Sequence, residues 1–153
     1  MEKTQRTVNA TYHEGCGNDF LVVVDLDRAL SPTTEEVQEL CGRNGAFGAD
    51  GLMAIRRGHG ADLEMTLWNA DGSLAEMSGN GIRCFAQAAH LARLLTSPTV
   101  RIETGAGLRT VTYSEGATPK LGSASVTMGK VALLEEVEIA GSKGARRASV
   151  GNP

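Results

Sequence analysis

The stretch "MSGNGIRC", residues 77–84, combines a hydroxyl side chain with a glycine-rich turn. Ser78 stands where the turn leads into an apolar segment, and Gly79, Asn80 and Gly81 follow it. Glycines let a backbone approach a ligand closely, and the first N–H groups of a helix have no partner within the helix. The pattern therefore predicts an anion site, suited to a small carboxylate. The lysine of the phosphate-binding G-x-x-x-x-G-K-[ST] sequence is absent.

Ser78 permits two interpretations. Serine is a favoured N-cap residue, so the ordinary interpretation is a cap at the start of a helix. The alternative is a catalytic group, but a serine hydroxyl needs a partner base to become an anion near neutral pH. The sequence offers no such base beside it. Asp71 and Glu76 lie on the preceding loop, where solvated carboxylates are the simpler interpretation.

The histidines and cysteines do not predict a metal site. Their spacing matches no zinc-ligand pattern, and no C-x-x-C pair occurs. We therefore expect no metal site. An odd number of separated cysteines indicates a reduced, cytoplasmic setting. The residues in question are His13, His59, His90, Cys16, Cys41 and Cys84.

Composition excludes several classes of protein. The 153 residues have a formal net charge of -3 and only 4% aromatic residues, so neither a nucleic acid nor an anionic membrane is an expected partner. No run of 18 apolar residues occurs, and the N-terminus has no signal-peptide pattern, so no membrane span is expected. A chain of this length is sufficient for one domain with a core of its own.

Apolar patterning predicts the elements that position the turn. A β-branched run at 20–26 indicates a buried strand, and Thr33 or Thr34 is placed to cap a helix of about three turns. Residues 51–57 and 62–69 predict a hairpin around "GHGA". Later runs predict three further strands, "TVRIET", "LRTVTYS" and "SASVTMG".

The segment from Gly79 to Leu95 carries two adjacent apolar faces and little polar perimeter. A helix of this kind is mostly surrounded by protein. The sequence thus predicts an α+β fold, with antiparallel strands wrapped around one central helix.

Five segments, in this order, resemble the N-terminal half of diaminopimelate epimerase. They are "GCGNDFLVVVD", "RNGAFGADGLM", "NADGSLAEMSGNGIRCFA", "IETGAGL" and "ASVGNP". The resemblance implies two pseudo-symmetric halves, each a β-barrel-like sheet around a central helix. It also implies interconversion of LL- and meso-2,6-diaminopimelate in lysine and peptidoglycan precursor synthesis, without pyridoxal phosphate or any other cofactor.

The resemblance assigns residues to a small amino-acid substrate. Asn18 of "GNDF" and Asn69 of "NADG" are similar to residues that contact the distal end of the substrate. Gly79 and Asn80 are similar to residues whose amides donate to the substrate carboxylate. Asn152 of "VGNP" is similar to another substrate-contacting asparagine. In this family one cysteine from each half faces the α-carbon, one as thiolate base and the other as thiol acid.

The chain departs from the family in two respects. Ser78 stands at the position of the first catalytic cysteine, and Cys84 cannot replace it, because six residues along a helix correspond to about 9 Å. In addition, the second half with its cysteine is missing. We therefore expect residues 1–121 to form the N-terminal domain and 122–153 to form a crossover strand and the start of a truncated second domain. The fragment is expected to be inactive, and the full-length protein to form a homodimer.

Two other functions remain open on the sequence alone. One is a related epimerase or dehydratase acting on proline or hydroxyproline, although the distal-end asparagines favour diaminopimelate. The other is a non-catalytic amino-acid binder, which the substitution at Ser78 supports.

Overall fold

The computed structural model describes residues 7–141 and 144–149. Within those residues the chain forms two helices and ten strands. The helices are α1 (Thr34–Cys41) and α2 (Gly79–Leu91). The strands are β1 (Ala10–Gly15), β2 (Asn18–Val24), β3 (Gly51–Arg57), β4 (Leu63–Asn69), β5 (Leu74–Ala75), β6 (Thr99–Thr104), β7 (Gly107–Glu115), β8 (Gly122–Val126), β9 (Ala132–Glu136) and β10 (Arg146–Ser149).

Eight of these strands form one curled sheet in which neighbours run in both directions. Its order is β1-β2-β3-β4-β6-β7-β8, and the short β5 pairs with β4. Strand β2 is parallel to β3 and β4 is parallel to β6, whereas the other neighbours are antiparallel. The predicted antiparallel sheet is therefore wrong, because the sheet is mixed. A helix in each connection, α1 after β2 and α2 after β4, returns the chain so that the next strand runs in the same direction.

The predicted hairpin is confirmed as β3 and β4, which pair from Gly51↔Asn69 to Arg57↔Leu63. Strand β1 was not predicted, because its sequence "ATYHEG" has no apolar alternation and buries only His13. It is an edge strand, held by β2 in register from Ala10↔Val23 to Gly15↔Asn18. Polar side chains are usual on an edge, which removes the signal that identifies inner strands.

Helix α1 covers the outer face of the sheet. Thr33 is its N-cap and forms a capping box with Glu36, in agreement with the sequence prediction. The buried side chains of Val37 and Cys41 pack against β3 and β4 in a small second core. Other members of that core are Leu21, Val23, Ala49, Leu52, Ala54 and Trp68.

Helix α2 packs against β1, β2, β3, β7 and β8 on the other face. It ends at Leu91 and not at Leu95, because Arg93 adopts a positive φ of 59° and the amide of Leu94 turns back to the carbonyl of Ala89. Leu94 and Leu95 still pack against the core, so their apolar character extended the helical pattern past its real end.

The expectation that α2 is the most buried element is not met. Seven of its 13 residues are buried, compared with five consecutive residues of the seven in β3. Strand β3 has protein on both faces: Met53 and Ile55 belong to the core beneath α2, and Leu52 and Ala54 to the core beneath α1. A helix at the edge of its own core keeps some exposed surface.

The C-terminal strands β9 and β10 form a separate antiparallel pair. Every residue of β9 is exposed, whereas β8 still belongs to the main sheet through β7. The division of the chain at residues 121 and 122 stays a prediction. In the part of the chain that the structure describes, no helix has the length and apolar character needed to cross a membrane.

Phe85 is fully buried in the core beneath α2, so Phe85→Ala is expected to lower the free energy of unfolding by about 3–5 kcal/mol. Leu91→Ala is the matched control on the same helix, because the Leu91 side chain is 45% exposed. Urea unfolding followed by circular dichroism measures both changes. Equal, small effects of the two substitutions would show that Phe85 does not hold the helix to the sheet.

Candidate functional site

Ser78 is the N-cap of α2. Its backbone is extended, with φ -133° and ψ 124°, and its Oγ accepts a hydrogen bond from the N–H of Gly81 at 3.0 Å. The N–H of Ile82 donates to the Ser78 carbonyl at 2.8 Å. Among the described residues, no hydrogen bond leaves the Ser78 hydroxyl toward a basic side chain. The serine therefore has the role of a cap and lacks an activating base.

The first turn of α2 keeps two N–H groups available. Within the described residues the amides of Gly79 and Asn80 have no acceptor, because they precede the first intrahelical hydrogen bond. Glycine at 81 is required by close packing, since an added Cβ would lie 3.0 Å from Ser78 Cβ and 3.2 Å from the Phe20 ring. Phe20 therefore packs against the helix start at Gly81, while the N–H groups of Gly79 and Asn80 stay open, as an anion site requires.

A hydrogen-bonded chain joins this turn to β2. Asn80 Nδ2 donates to Asn18 Oδ1 at 2.7 Å, and Asn18 Nδ2 donates to Asp50 Oδ2 at 2.9 Å. Asp50 also accepts the amide of Asp19 at 3.1 Å and pairs with the guanidinium of Arg43. Sequence analysis missed Asp50. Its position directly before a buried strand, in "GADGLM", was the only signal available.

Asp19 is tied into the same chain from the edge strand. The Tyr12 hydroxyl donates to Asp19 Oδ2 at 2.5 Å, and this bond is the main cause that lowers the pKa of Asp19. The Asp50 amide donates to Asp19 Oδ1 at 3.0 Å and lowers the pKa further. An ionised Asp19 thereby fixes the start of β2 against the start of β3.

Asn69 lies at the end of β4, in the turn toward β5. Its Nδ2 donates to Ser73 Oγ at 3.0 Å, and its main-chain N–H donates to the Ser73 carbonyl at 2.8 Å. Asp71 accepts both the amide and the hydroxyl of Ser73, which lowers the pKa of Asp71. The turn is therefore internally bonded and holds the Asn69 side chain in place.

These elements enclose a pocket of about 260 Å³. Its polar lining comes from Asn18, Asp50, Asn69 and Ser78, and its apolar lining from Phe20, Leu67, Ala75 and Met77. Three of the predicted site residues, Asn18, Asn69 and Ser78, thus converge. Gly79 and Asn80 do not line this pocket, although Asn80 contacts Asn18 at its wall. Asn152 lies outside the described residues.

A larger cavity of about 520 Å³ lies beside β4, β5 and β6. Its charged lining comes from Glu64, Glu76 and Glu103, and it contains none of the predicted site residues. The smaller pocket brings together the side-chain amides of Asn18 and Asn69 and the hydroxyl of Ser78, the N-cap of α2, and these groups suit a small polar ligand. We therefore place the candidate site in the smaller pocket.

One acidic cluster beside the larger cavity brings possible ligand atoms together. Those of His59, Glu64 and Glu103 lie within 4.8 Å of one another. Glu64 is already paired with Arg28, and Glu103 accepts the amides of His59 and Gly60. These contacts occupy the carboxylates, so the cluster is explained without a metal. Glu103 comes from a distant part of the sequence, which is why spacing did not reveal the cluster.

The two buried cysteines are inert. Burial raises the pKa of both Cys41 and Cys84 to about 11. Cys84 lies against the edge strand, where its Sγ is 3.0 Å from the place of a Cβ on Gly15, and it does not line the pocket. It therefore does not replace the group at Ser78. Cys16 is exposed, in the turn between β1 and β2.

Similarity to known proteins shows the family of this chain. A sequence model of the family described as diaminopimelate epimerase matches residues 10–134. The chain belongs to the diaminopimelate epimerase family. It is 43% identical over 109 residues to the chloroplastic diaminopimelate epimerase of Oryza sativa subsp. japonica, which covers 69% of this chain and 31% of the rice protein.

One further relative agrees with this family, and one solved structure agrees with the fold. The diaminopimelate epimerase of Leptospira biflexa is 33% identical over 123 residues, covering 80% of this chain and 44% of the relative. In fold, a solved structure of a probable proline racemase from Agrobacterium radiobacter K84 matches with a TM-score of 0.66 at 17% identity, covering 93% of this chain and 48% of that one. The chain therefore spans less than half the length of these proteins.

Thiol reactivity tests the assigned burial. A raised pKa keeps a thiol protonated until the pH approaches that pKa, so at pH 8 Cys41 and Cys84 carry almost no thiolate. Iodoacetamide is expected to modify only Cys16 in the native chain at pH 8, and all three cysteines in urea. Mass spectrometry of the labelled protein measures this, with Cys16→Ser as the control that stays unlabelled. Rapid native labelling of Cys84 would contradict its placement.

Proposed function

We propose that this chain is the N-terminal half of a diaminopimelate epimerase, an isomerase that interconverts LL- and meso-2,6-diaminopimelate without a cofactor. The observation that carries the proposal is the convergence of Asn18, Asn69 and Ser78, the N-cap of α2, on one pocket, in a chain of this family. A carboxylate at the amides of Gly79 and Asn80 places the α-carbon next to Ser78. The two asparagines then face the distal amino-acid group.

The proposed reaction removes a proton from the α-carbon on one face and adds one on the other. An α-proton is a weak acid, so the base must be held close and kept from water. Amides at a helix start favour the negative charge that develops on the carboxylate during this step. No metal or other group is needed for these roles.

Ser78 is a poor base for this chemistry. Its hydroxyl accepts the Gly81 amide, and no basic partner among the described side chains would remove its proton. A cysteine at the same position would present a thiol at the helix start, where the amides lower a thiol pKa. We therefore propose that the chain binds the substrate and is inactive alone, since the second base belongs to the other half.

The proposal extends to the organisation of the complete protein. Residues 1–121 form its N-terminal domain around α2 as the central helix, and 122–153 lead into the second domain. Asn152 contacts the substrate from that crossover. The complete protein is cytoplasmic and dimeric.

A proline or hydroxyproline epimerase is the second candidate. This candidate is supported by the fold shared with the probable proline racemase. At 17% identity that likeness concerns the fold alone. The asparagines at 18 and 69 favour a substrate with a second polar end, which proline lacks. A non-catalytic binder is the third candidate, and the cap geometry of Ser78 supports it.

Binding separates these candidates. Isothermal calorimetry of the 153-residue chain is expected to show binding of meso-diaminopimelate and a much lower affinity for L-proline. Asn69→Ala should lower the affinity for diaminopimelate by roughly tenfold, because the hydrogen bonds to the distal group of the ligand are lost. Asn44→Ala, at a loop residue outside the pocket, is the control. Stronger binding of proline would favour the second candidate.

Turnover tests the role of Ser78 in a protein that carries the second half. Ser78→Cys is expected to raise the rate of LL-to-meso conversion by about 10²–10⁴-fold, the usual contribution of a positioned acid or base. Ser78→Ala is the matched control and should leave the low rate unchanged. Chiral chromatography that separates LL- from meso-diaminopimelate measures the conversion rate of both variants. A rate for the serine protein equal to that of Ser78→Cys would show that Ser78 is an activated residue.

A further inference from the structure

Arg109 is a buried cation without a counter-ion. Its residue surface is only 8% exposed, and Nη1 donates to the carbonyl of Leu108 at 3.0 Å. In the described part of the chain, Nε has no hydrogen-bond partner and no carboxylate forms an ion pair with this guanidinium. Arginine stays charged at any pH that a protein tolerates. A charge removed from water in this way is costly unless an anion faces it.

The strand geometry directs Arg109 toward α2. Side chains of β7 alternate, and Arg109, Val111 and Tyr113 are its buried positions, on the side of the α2 core. The Tyr113 ring lies 4.9 Å from the ring of His90, near the end of α2. From Tyr113 to Arg109 is four residues along β7, or about 13 Å. From His90 to Gly81 is nine residues along α2, which is about the same distance. This spacing places Arg109 toward the N-terminal end of α2.

The strand next to β7 gives the same position independently. Strand β8 pairs with β7 up to Val111↔Val126, and Thr127 continues this pairing through Thr110. Met128 then lies beside Arg109, and its Cε is 3.6 Å from the place of a Cβ on Gly79.

Two glycines leave room around the guanidinium. A Cβ placed on Gly107 or on Gly129 would lie 3.8 Å from Arg109 Nη1. Both have positive φ, 94° and 86°, which side chains rarely adopt. The guanidinium therefore lies against two turns whose backbone conformation favours glycine.

Other charged side chains near the first turn include Asp50, which lines the pocket with Ser78, and Arg83 and Glu76. Arg83 is bound to Asn80 Oδ1 and to the carbonyl of Gly79, so its guanidinium is engaged along the helix itself. Glu76 precedes the cap, and its carbonyl accepts the amide of Ala106. Arg109 is the buried charge whose donors are not satisfied within the described residues.

We propose that the Arg109 guanidinium and the amides of Gly79 and Asn80 together form the carboxylate-binding site, with Arg109 as the residue that sets its strength for anions. This rests on the proposed function, which places the substrate carboxylate at the start of α2. Arg109 acts as a positioning residue through its charge. The inference adds a residue that the sequence pattern did not single out.

A thiol placed at position 78 tests the charge without any substrate. In a Cys16→Ser background, Ser78→Cys introduces a reactive thiol whose pKa reports the potential at the start of α2. Adding Arg109→Met is expected to raise the pKa of that thiol by roughly half a unit to one unit, and Arg109→Lys to restore it. If the Arg109→Met variant does not fold, Arg109→Gln removes the same charge and is expected to raise the pKa of the introduced thiol in the same way. Iodoacetamide labelling rate against pH measures the pKa, and circular dichroism checks the fold.

Arg101→Met is the matched control, because Arg101 is an exposed arginine on the neighbouring strand β6 and pairs with Asp62. It removes the same charge and should leave the pKa of the introduced thiol unchanged. An unchanged pKa in Arg109→Met, or equal shifts in the two variants, would overturn the proposal.

Titration of the ¹⁵N-labelled 153-residue chain with meso-diaminopimelate tests the ligand role. The amide signals of Gly79 and Asn80 are expected to shift, and Arg109→Met to weaken binding roughly tenfold while Arg109→Lys and Arg101→Met do not. Equal affinity in all variants would overturn the proposal. If diaminopimelate does not bind but the thiol pKa still responds to Arg109, the proposed function fails and the anion site stands.

Discussion

The start of α2 is the constraint on which the rest of the structure depends. A helix whose buried side includes Ile82, Phe85 and Ala89 must be covered by strands, and the proposed function requires its first N–H groups to stay open to a ligand. The curled sheet meets both demands, because β1, β2, β7 and β8 pack along the helix while the pocket remains at its N-terminal end. The Gly81 amide is covered by Phe20 and by Ser78, and it donates its hydrogen bond to the Ser78 hydroxyl.

The outer face of the sheet contributes to the site although it lies away from it. Helix α1 is followed by a loop whose amides at Ala46 and Phe47 return to carbonyls of Glu39 and Leu40. This brings Asp50 to the start of β3, where it holds Asn18 and the amide of Asp19. The packing of α1 in the second core therefore helps to position the Asp50 carboxylate, which holds Asn18 in the pocket wall. A change in that core would be felt at the site even though no α1 residue lines the pocket.

Local features of the fold could be predicted from sequence, and features that depend on distant residues could not. The caps at Thr33 and Ser78 follow from side chains that bond within three residues, and the β3–β4 hairpin follows from neighbouring segments. The parallel pairs depend on where a crossover helix returns the chain, which apolar periodicity does not encode. Convergence of Asn18 and Asn69 was anticipated through the family resemblance alone. Asp50 and Arg109 became visible only once strands from different parts of the chain were side by side.

The exchange of a thiol for a hydroxyl at position 78 changes stability and chemistry in opposite directions. An N-cap needs a good acceptor for the amide at N3, and a serine oxygen provides one at 3.0 Å, worth about 1 kcal/mol to a helix. A thiol sulfur accepts weakly while neutral, so it caps poorly, but its ionised form gains from the same amide and from nearby positive charge. The features that would make a cysteine here reactive are therefore the ones that make serine a firm cap. In the proposed site, serine therefore leaves the amides of Gly79 and Asn80 open to a carboxylate but supplies no base.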